Sequence, residues 1–148
     1  MHLTNAIELL TQQHDEIEAL LVEVAATGSE SVHTGALSEL ADKLTLHLAV
    51  EQELLYPAAD PLITPEVHAE LLAEHGEIKR ILADLIWLER EDQRFARKLV
   101  GLQSLLQIHE HWQETELFVR LAQALPEPRL ADLGVEVNSW FDRTALAA

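Results

Sequence analysis

Apolar residues recur at intervals of three and four along four long stretches of this chain, the spacing that gathers them on one side of an α-helix. Helices of this kind must bury their apolar sides against one another, and short breaks between them favour antiparallel neighbours. The five prolines of the 148-residue chain all lie at or near such breaks. The pattern predicts an all-α fold, an antiparallel up-down four-helix bundle with a short fifth helix at its C-terminus.

The breaks between the apolar stretches set the bounds of the predicted helices. Pro57 and Pro61 end the second helix, whereas Thr64 and Pro65 have the residue types preferred at the N-cap and first position of the third. The predicted helices cover about residues 5–26, 35–56, 65–89, 93–124 and 129–146. We therefore expect a single domain over residues 1–148, with the bundle spanning about 5–124.

Composition excludes several classes of function. The chain has no cysteine, which excludes disulfides, zinc–thiolate sites and cysteine nucleophiles. A formal net charge of −16 argues against binding to nucleic acid or to an anionic membrane surface. The N-terminus lacks a basic region followed by an apolar run, and no apolar run is long enough to span a bilayer. A cytoplasmic protein is expected.

Polar residues replace leucine at one point on each of the four apolar faces. These residues are His14 in the first helix, His47 and Glu51 in the second, His75 in the third and His109 in the fourth. A carboxylate in a core is costly unless a positive partner meets it, and no Lys or Arg lies on these faces. One core histidine is usually only a hydrogen-bonded core residue. Four of them with a glutamate indicate a metal site.

These polar residues are predicted to lie at one height in the bundle. In an antiparallel hairpin, residues equally distant from the turn lie opposite each other. The midpoint between His14 and His47 falls near residue 30, in the first break, and that between His75 and His109 falls at residue 92, in another. The midpoint between Glu51 and His75 falls at residue 63, also in a break. The histidines and Glu51 should therefore converge on one layer.

An internal repeat supports this layer. Residues 14–17 resemble residues 75–78, and residues 47–56 resemble residues 109–118, so the offset is 61 or 62. The chain is therefore interpreted as two similar helical hairpins related by a pseudo-twofold axis. Such a bundle would present a pair of histidines to each of two metals, with carboxylates between them. Histidine and carboxylate together suit iron, manganese or zinc, and the paired geometry favours iron or manganese.

The segments QQHDEIEALL, HLAVEQELLYP, AEHGEIKRIL and HEHWQETELF resemble the hemerythrin-like family, also called the HHE cation-binding domain. The resemblance covers roughly residues 5–120. It implies a four-helix bundle around two iron ions bridged by oxo or hydroxo, which can meet O₂ or a related small oxidant such as peroxide or NO. It also implies that His14 and His47 bind one iron, that His75 and His109 bind the other, and that Glu51 bridges them. Manganese and zinc are expected as substitutes.

Two departures from the family pattern bear on the second iron. Oxygen carriers of the family have a further histidine where this chain has Leu71, and HHE domains usually have glutamate where it has Gln113. Glu114 lies five residues after His109, the spacing that the oxygen carriers use for their second carboxylate. An α-helix turns about 100° per residue, so Glu114 would need a local bulge to reach the metal. We predict Glu114 as the second carboxylate, with Gln113 as the alternative.

The resemblance does not choose among O₂ carriage, sensing, iron storage, and peroxide or NO chemistry. We expect a binding protein for O₂ or a related oxidant, with an iron or O₂ sensor that signals to a partner protein as the alternative. Enzymatic peroxide or NO chemistry stays open. A ferritin-like oxidase needs Glu-x-x-His pairs, and the only such spacing, Glu30 to His33, falls in a predicted turn. A zinc-dependent hydrolase would need a substrate cleft, which nothing in the sequence supplies, and a metal-free bundle leaves the histidine layer unexplained.

The remaining histidines and aromatic residues have simpler interpretations. His68 lies about 10 Å along the axis from His75 and is predicted at the rim of the bundle. His2 and His33 should be solvated, and His111 should lie on the surface. Five aromatic residues are predicted to pack at the ends of the bundle and against the fifth helix: Tyr56, Trp112, Phe118, Trp140 and Phe141.

Overall fold

Helices are the only regular secondary structure among the described residues. The computed structural model describes residues 4–26 and 30–147, with side chains for 4–26 and 35–143, and has no strand within those ranges. Its α-helices are α1 (Ala6–Ala26), α2 (Glu30–Val50), α3 (Tyr56–Ala59), α4 (Pro65–Trp87), α5 (Gln93–Trp112), α6 (Phe118–Ala124) and α7 (Glu127–Ala147). A π-helical turn, Glu51–Leu55, joins α2 to α3, and a second, Gln113–Leu117, joins α5 to α6. The predicted all-α fold is confirmed.

Side-chain caps fix where the main helices begin. The Asn5 side chain accepts a hydrogen bond from the Glu8 amide at 3.0 Å at the start of α1. Thr64 accepts from the Val67 amide at 3.2 Å, with Pro65 in the first turn of α4, as the sequence predicts. Asp92 accepts from the amide of Arg94 at 2.9 Å and is the N-cap of α5. These caps satisfy amides that have no partner within their own helix.

The helices α1, α2, α4 and α5 pack around a core that is divided into two apolar clusters. α1 packs against α2 and α5, and α4 also packs against both α2 and α5. One cluster includes Ile17, Leu44, Ile78 and Leu106, while the other lies towards the opposite end and includes Leu10. Burial of these side chains drives assembly of the bundle. A polar layer lies between the two clusters.

The C-terminal helix is longer than predicted. α7 has 21 residues, as many as α1, and buries Leu130, Leu133 and Val137. Gly134 permits a close approach between α7 and the start of α1, because a Cβ at this position would lie 2.6 Å from the carbonyl oxygen of Thr4. Burial of these three side chains stabilises α7 against the rest of the bundle.

The second helix also differs from its predicted bounds. It begins at Glu30 rather than near residue 35, so the backbone of His33 is helical; the side chain of His33, like all of His2, lies outside the described part of the chain. The chain also stays helical past Pro57, which lies in the first turn of α3, where proline is tolerated. Among the described helices, none combines the length and apolarity needed to cross a membrane.

Candidate metal centre

The layer between the two apolar clusters is made of the histidines and the glutamate that interrupt the apolar faces. α1 supplies His14, α2 supplies His47, α4 supplies His75 and α5 supplies His109, while Glu51 is the first residue of a π-helical turn. Each of these residues is at most 2% exposed. The structure thus brings together all five residues that the turn midpoints placed at one height.

Glu51 lies between two pairs of histidines. Its Oε1 atom lies 2.7 Å from Nε2 of His47. Its Oε2 atom lies 2.7 Å from Nε2 of His75 and 3.1 Å from Nε2 of His109. His14, His47 and Glu51 offer ligand atoms within 4.8 Å of one another, and so do Glu51, His75 and His109. A carboxylate with one oxygen towards each histidine pair can bridge two cations.

Several buried polar atoms in this layer lack a hydrogen-bond partner among the described residues. They include both ring nitrogens of His14, Nε2 of His47, Oε1 of Glu51 and Oε1 of Gln113. The close pair of His47 Nε2 and Glu51 Oε1 is therefore a contact without hydrogen-bond geometry. Buried polar atoms without partners cost free energy, and such atoms in natural proteins call for an explanation. A bound cation would use these lone pairs, so the residues fit a metal.

Burial and close packing shift the pKa values of several residues in this layer. Burial alone would raise the pKa of Glu51, but the neighbouring His47 and the hydrogen bonds of the surrounding histidines hold it well below its usual range. Burial and then the repulsion of His47 lower the pKa of His14 to about 3. Burial opposes charging of His109, yet hydrogen bonds to Glu51 and Glu74 raise its pKa to about 10. The opposite directions of these shifts reflect how closely the carboxylate and the histidines are packed in this layer.

Two side chains outside the layer hold the outer nitrogens of the ligand histidines. Nδ1 of His47 lies 2.7 Å from Oε1 of Gln13, and Nδ1 of His109 lies 2.7 Å from Oε2 of Glu74. Both contacts cross from one helix to the next and point Nε2 of the ring into the layer. Histidines that bind metals usually have such a partner on the other ring nitrogen.

The sequence left open whether Glu114 or Gln113 is the second metal ligand after His109. Gln113 is fully buried, and its Nε2 lies 3.2 Å from Nε2 of His109. The Glu114 side chain is 38% exposed, and its Oε2 lies 3.8 Å from Nδ1 of His14. Glu114 is thus outside both groups of converging ligand atoms, and its role as a metal ligand stays a prediction. The π-helical turn begins at Gln113, so His109 and Gln113 keep their α-helical spacing and only later residues are displaced.

Tyr56 belongs to the site, although the sequence predicted only a packing role for it. Its hydroxyl donates a hydrogen bond to Oε2 of Glu51 at 2.9 Å and lies 3.0 Å from Nε2 of His75. Burial and the Glu51 charge raise the pKa of Tyr56, so the phenol keeps its proton. The internal repeat aligns Tyr56 with Phe118, whose ring stacks on His14 at 6.1 Å between centroids. Its position at the end of the HLAVEQELLYP motif was the signal available in the sequence.

His68 and His111 lie outside the layer. His111 is exposed, as predicted, and His68 is half-buried with its ring 6.0 Å from that of Tyr56. Neither belongs to a group of converging ligand atoms in the described ranges. Glu110, next to His109, is 8% exposed, and burial together with the charges of Glu18 and Glu114 raises its pKa to about 8.

Exchanging charge at positions 113 and 114 tests which residue serves the metals. Gln113→Glu should tighten binding of the second metal ion, because it places a carboxylate four residues after His109, as Glu51 stands four residues after His47. Glu114→Gln should leave metal content unchanged, because this carboxylate is 38% exposed and lies outside both groups of converging ligand atoms. Metal content and calorimetric titration of both variants provide the measurement. Loss of one metal ion in Glu114→Gln would instead assign the ligand to Glu114.

The fold and the site define a class of protein, a helical bundle with buried histidine and carboxylate ligands for metal cations. The sequence profile of the hemerythrin HHE cation-binding domain matches residues 5–121. The chain belongs to the hemerythrin HHE cation-binding domain family, and the match together with the histidine–glutamate cluster indicates a metal-binding protein.

A solved structure supports the fold independently. The chain is similar to a crystal structure of a hemerythrin HHE cation binding domain-containing protein, the Rv2633c homolog from Mycobacterium kansasii, with a TM-score of 0.82 and 22% sequence identity. The similarity covers 95% of this chain and 86% of that chain. No curated protein sequence matches the chain. At this level of identity the similarity shows the shared fold.

Proposed function

We propose that the protein binds two iron ions and that this centre binds O₂ or a related small oxidant such as peroxide or NO. His14 and His47 would hold one iron, His75 and His109 the other, and Glu51 would bridge them. The observation that carries the proposal is the Glu51 carboxylate, which directs one oxygen towards each histidine pair inside a fully buried layer. Glu114, which lies beside His14, is the candidate for a further ligand. The substitutions at positions 113 and 114 test whether it binds metal directly.

The choice of iron rests on the donor set. Imidazole and carboxylate suit iron, manganese and zinc, and the chain offers no thiolate that would favour zinc or copper(I). Two groups that share one carboxylate favour a pair of ions over a single tetrahedral zinc site. Manganese and zinc are proposed as substitutes that compete for the same ligands.

Few protein ligands would surround each ion, which favours binding of a small exogenous ligand. Leu71, which is 4% exposed, occupies the position of the additional histidine in the oxygen carriers. Gln113 brings a neutral amide where a second carboxylate would otherwise stand. A metal with few protein ligands keeps coordination positions free for water or a diatomic molecule. When bound, the iron pair would supply reversible electron transfer to such a molecule.

The residues around the layer would control what reaches it. The apolar clusters on both sides exclude bulk water and large substrates. The Tyr56 hydroxyl holds a proton beside Oε2 of Glu51 and can donate a hydrogen bond within the layer. Phe118 covers the face of His14 with an apolar ring. The site is therefore suited to small molecules.

Reaction of the iron-loaded protein with small oxidants tests this function. Protein loaded with ferrous iron without oxygen should change its near-ultraviolet and visible absorption on addition of O₂, peroxide or NO, because oxidation or ligation of the iron alters its charge-transfer bands. Buffer containing free ferrous iron and the loaded His111→Ala variant serve as controls. An iron-loaded protein whose spectrum is unaffected by all of these molecules would refute oxidant binding while leaving metal binding intact.

A further inference from the structure

We propose that Gln13 and Glu74 are paired positioning residues that make the two metal positions unequal, with the position held by His75 and His109 binding a divalent cation more tightly. This inference rests on the proposed metal centre and deepens it. The two residues occupy equivalent places in the two hairpins but differ in charge, and each hydrogen-bonds a histidine of the centre from outside the layer.

The equivalence of the two positions is geometric as well as sequential. Gln13 immediately precedes His14 on α1, and Glu74 immediately precedes His75 on α4. Gln13 crosses to Nδ1 of His47 on α2, and Glu74 crosses to Nδ1 of His109 on α5. Both contacts measure 2.7 Å. The repeat offset of 61, which relates His14 to His75, also relates Gln13 to Glu74.

The partners of the two outer nitrogens differ only in chemistry. An oxygen that accepts from Nδ1–H fixes the tautomer in which Nε2 carries the lone pair for the metal, and it fixes the orientation of the ring. Gln13 does this with a neutral carboxamide, whereas Glu74 does it with a carboxylate. A charged acceptor makes a stronger hydrogen bond and a more basic imidazole, so His109 should be a better ligand than His47.

Nearby groups on the other half do not offset this difference. The Glu114 carboxylate lies 3.8 Å from Nδ1 of His14, too far for a hydrogen bond, and Nδ1 of His75 likewise has no hydrogen-bond partner among the described residues. The outer nitrogens of these two histidines therefore do not distinguish the two halves. Tyr56 lies beside His75, whereas the equivalent Phe118 lies beside His14. This second difference between the two halves stays constant when only positions 13 and 74 are changed. Exchange of these two side chains therefore isolates the effect of the outer hydrogen bond.

Titration with Co²⁺ tests the inference without any activity measurement. Metal-free wild-type protein should bind Co²⁺ in two calorimetric steps, one for each ligand group, with the tighter step at His75 and His109. Glu74→Gln should weaken the tighter step by about 10- to 100-fold and bring the two affinities together. Gln13→Glu should tighten the weaker step. Glu77→Gln removes an exposed carboxylate from the same helix and provides the control.

Exchange of both side chains gives the sharpest outcome. The double variant Gln13→Glu with Glu74→Gln should restore unequal steps with their order reversed. Paramagnetic broadening of the histidine ring signals by the first equivalent of Co²⁺ identifies the occupied position, which should move from His75 and His109 to His14 and His47. A merely structural role of Glu74 would not move the first ion to the other pair.

The outcomes separate failure of this inference from failure of the metal centre. Wild-type protein that binds Co²⁺ in both positions, with affinities and order that the variants leave unchanged, would overturn the assignment of Gln13 and Glu74 alone. Equal intrinsic affinities in the wild type would do the same. A folded wild type that binds no Co²⁺ would overturn the proposed centre and the inference together.

Discussion

Glu51→Ala is expected to remove almost all bound iron from protein that has been loaded with ferrous iron and desalted. The Glu51 carboxylate is the one group shared by both sets of converging ligand atoms in the described structure, and it is completely buried. Its loss removes an anionic ligand from each position at once and leaves neutral imidazoles as the remaining donors. Charge compensation for two dications then disappears from the layer. Iron content per chain, measured by elemental analysis, records the effect.

Two further variants make the Glu51 experiment specific. Glu51→Gln keeps nearly the same volume but removes the charge, and it should lose iron almost as completely. His111→Ala removes an exposed imidazole two residues from His109 and should retain the wild-type content. Circular dichroism verifies that each variant is folded. Full iron retention by Glu51→Gln would show that this carboxylate does not bridge metals.

The second large effect is expected on thermal stability. Without metal, the protein must keep several unpartnered polar atoms in a layer between two apolar clusters. A ligand that binds only the folded state stabilises it by about 4 kcal/mol at a thousandfold excess over its dissociation constant. For a chain of this size, about 1 kcal/mol raises the midpoint by roughly 2–4 °C. Saturating metal should therefore raise the unfolding midpoint by about 10 °C.

Scanning calorimetry of chelator-treated and metal-loaded protein measures this shift. The Glu51→Ala variant provides the matched control. It lacks the carboxylate shared by both ligand groups, so its unfolding midpoint should not respond to metal. Equal midpoints for wild-type protein with and without saturating metal would show that the layer does not bind a cation in its folded state.

The fold and the height of the polar layer could be predicted from the sequence for simple physical reasons. The helical period identifies the inward face, and antiparallel pairing relates the distance from a turn to height in the bundle. The second rule depends on the midpoint between two helices, which moves by only half of any error at one helix end. The start of α2 at Glu30, five residues before the predicted start, therefore moved this midpoint by only two to three residues and left His14 opposite His47.

The choice between Gln113 and Glu114 could not be predicted in the same way. The sequence indicated that a bulge would be needed, but not at which residue it would begin. A π-helical turn beginning at Gln113 keeps that side chain inward, whereas a turn that began earlier would change which residue faces the layer. The matching turn at Glu51 lies at the equivalent place in the other hairpin. Where such a turn starts depends on packing between helices.

The residues that hydrogen-bond Nδ1 of His47 and His109 could not be predicted for a different reason. Gln13 and Glu74 are only partly buried, and each side chain reaches a histidine on a neighbouring helix. Helical periodicity places such residues beside the core, without specifying contacts between helices. Tyr56 was missed because an aromatic residue near a helix end is most often a packing residue. Its hydrogen bond to Glu51 depends on the π-helical turn between them.

Iron stoichiometry of the wild-type protein tests whether the buried layer holds a pair of iron ions. The protein should be loaded with ferrous iron without oxygen, desalted, and analysed for iron by elemental analysis and for protein by amino-acid analysis. We expect about two irons per chain, one for each group of ligands that shares Glu51. Folded protein that retains about one iron would contradict the paired centre, and folded protein with no iron above background would contradict the assignment of the layer as an iron site.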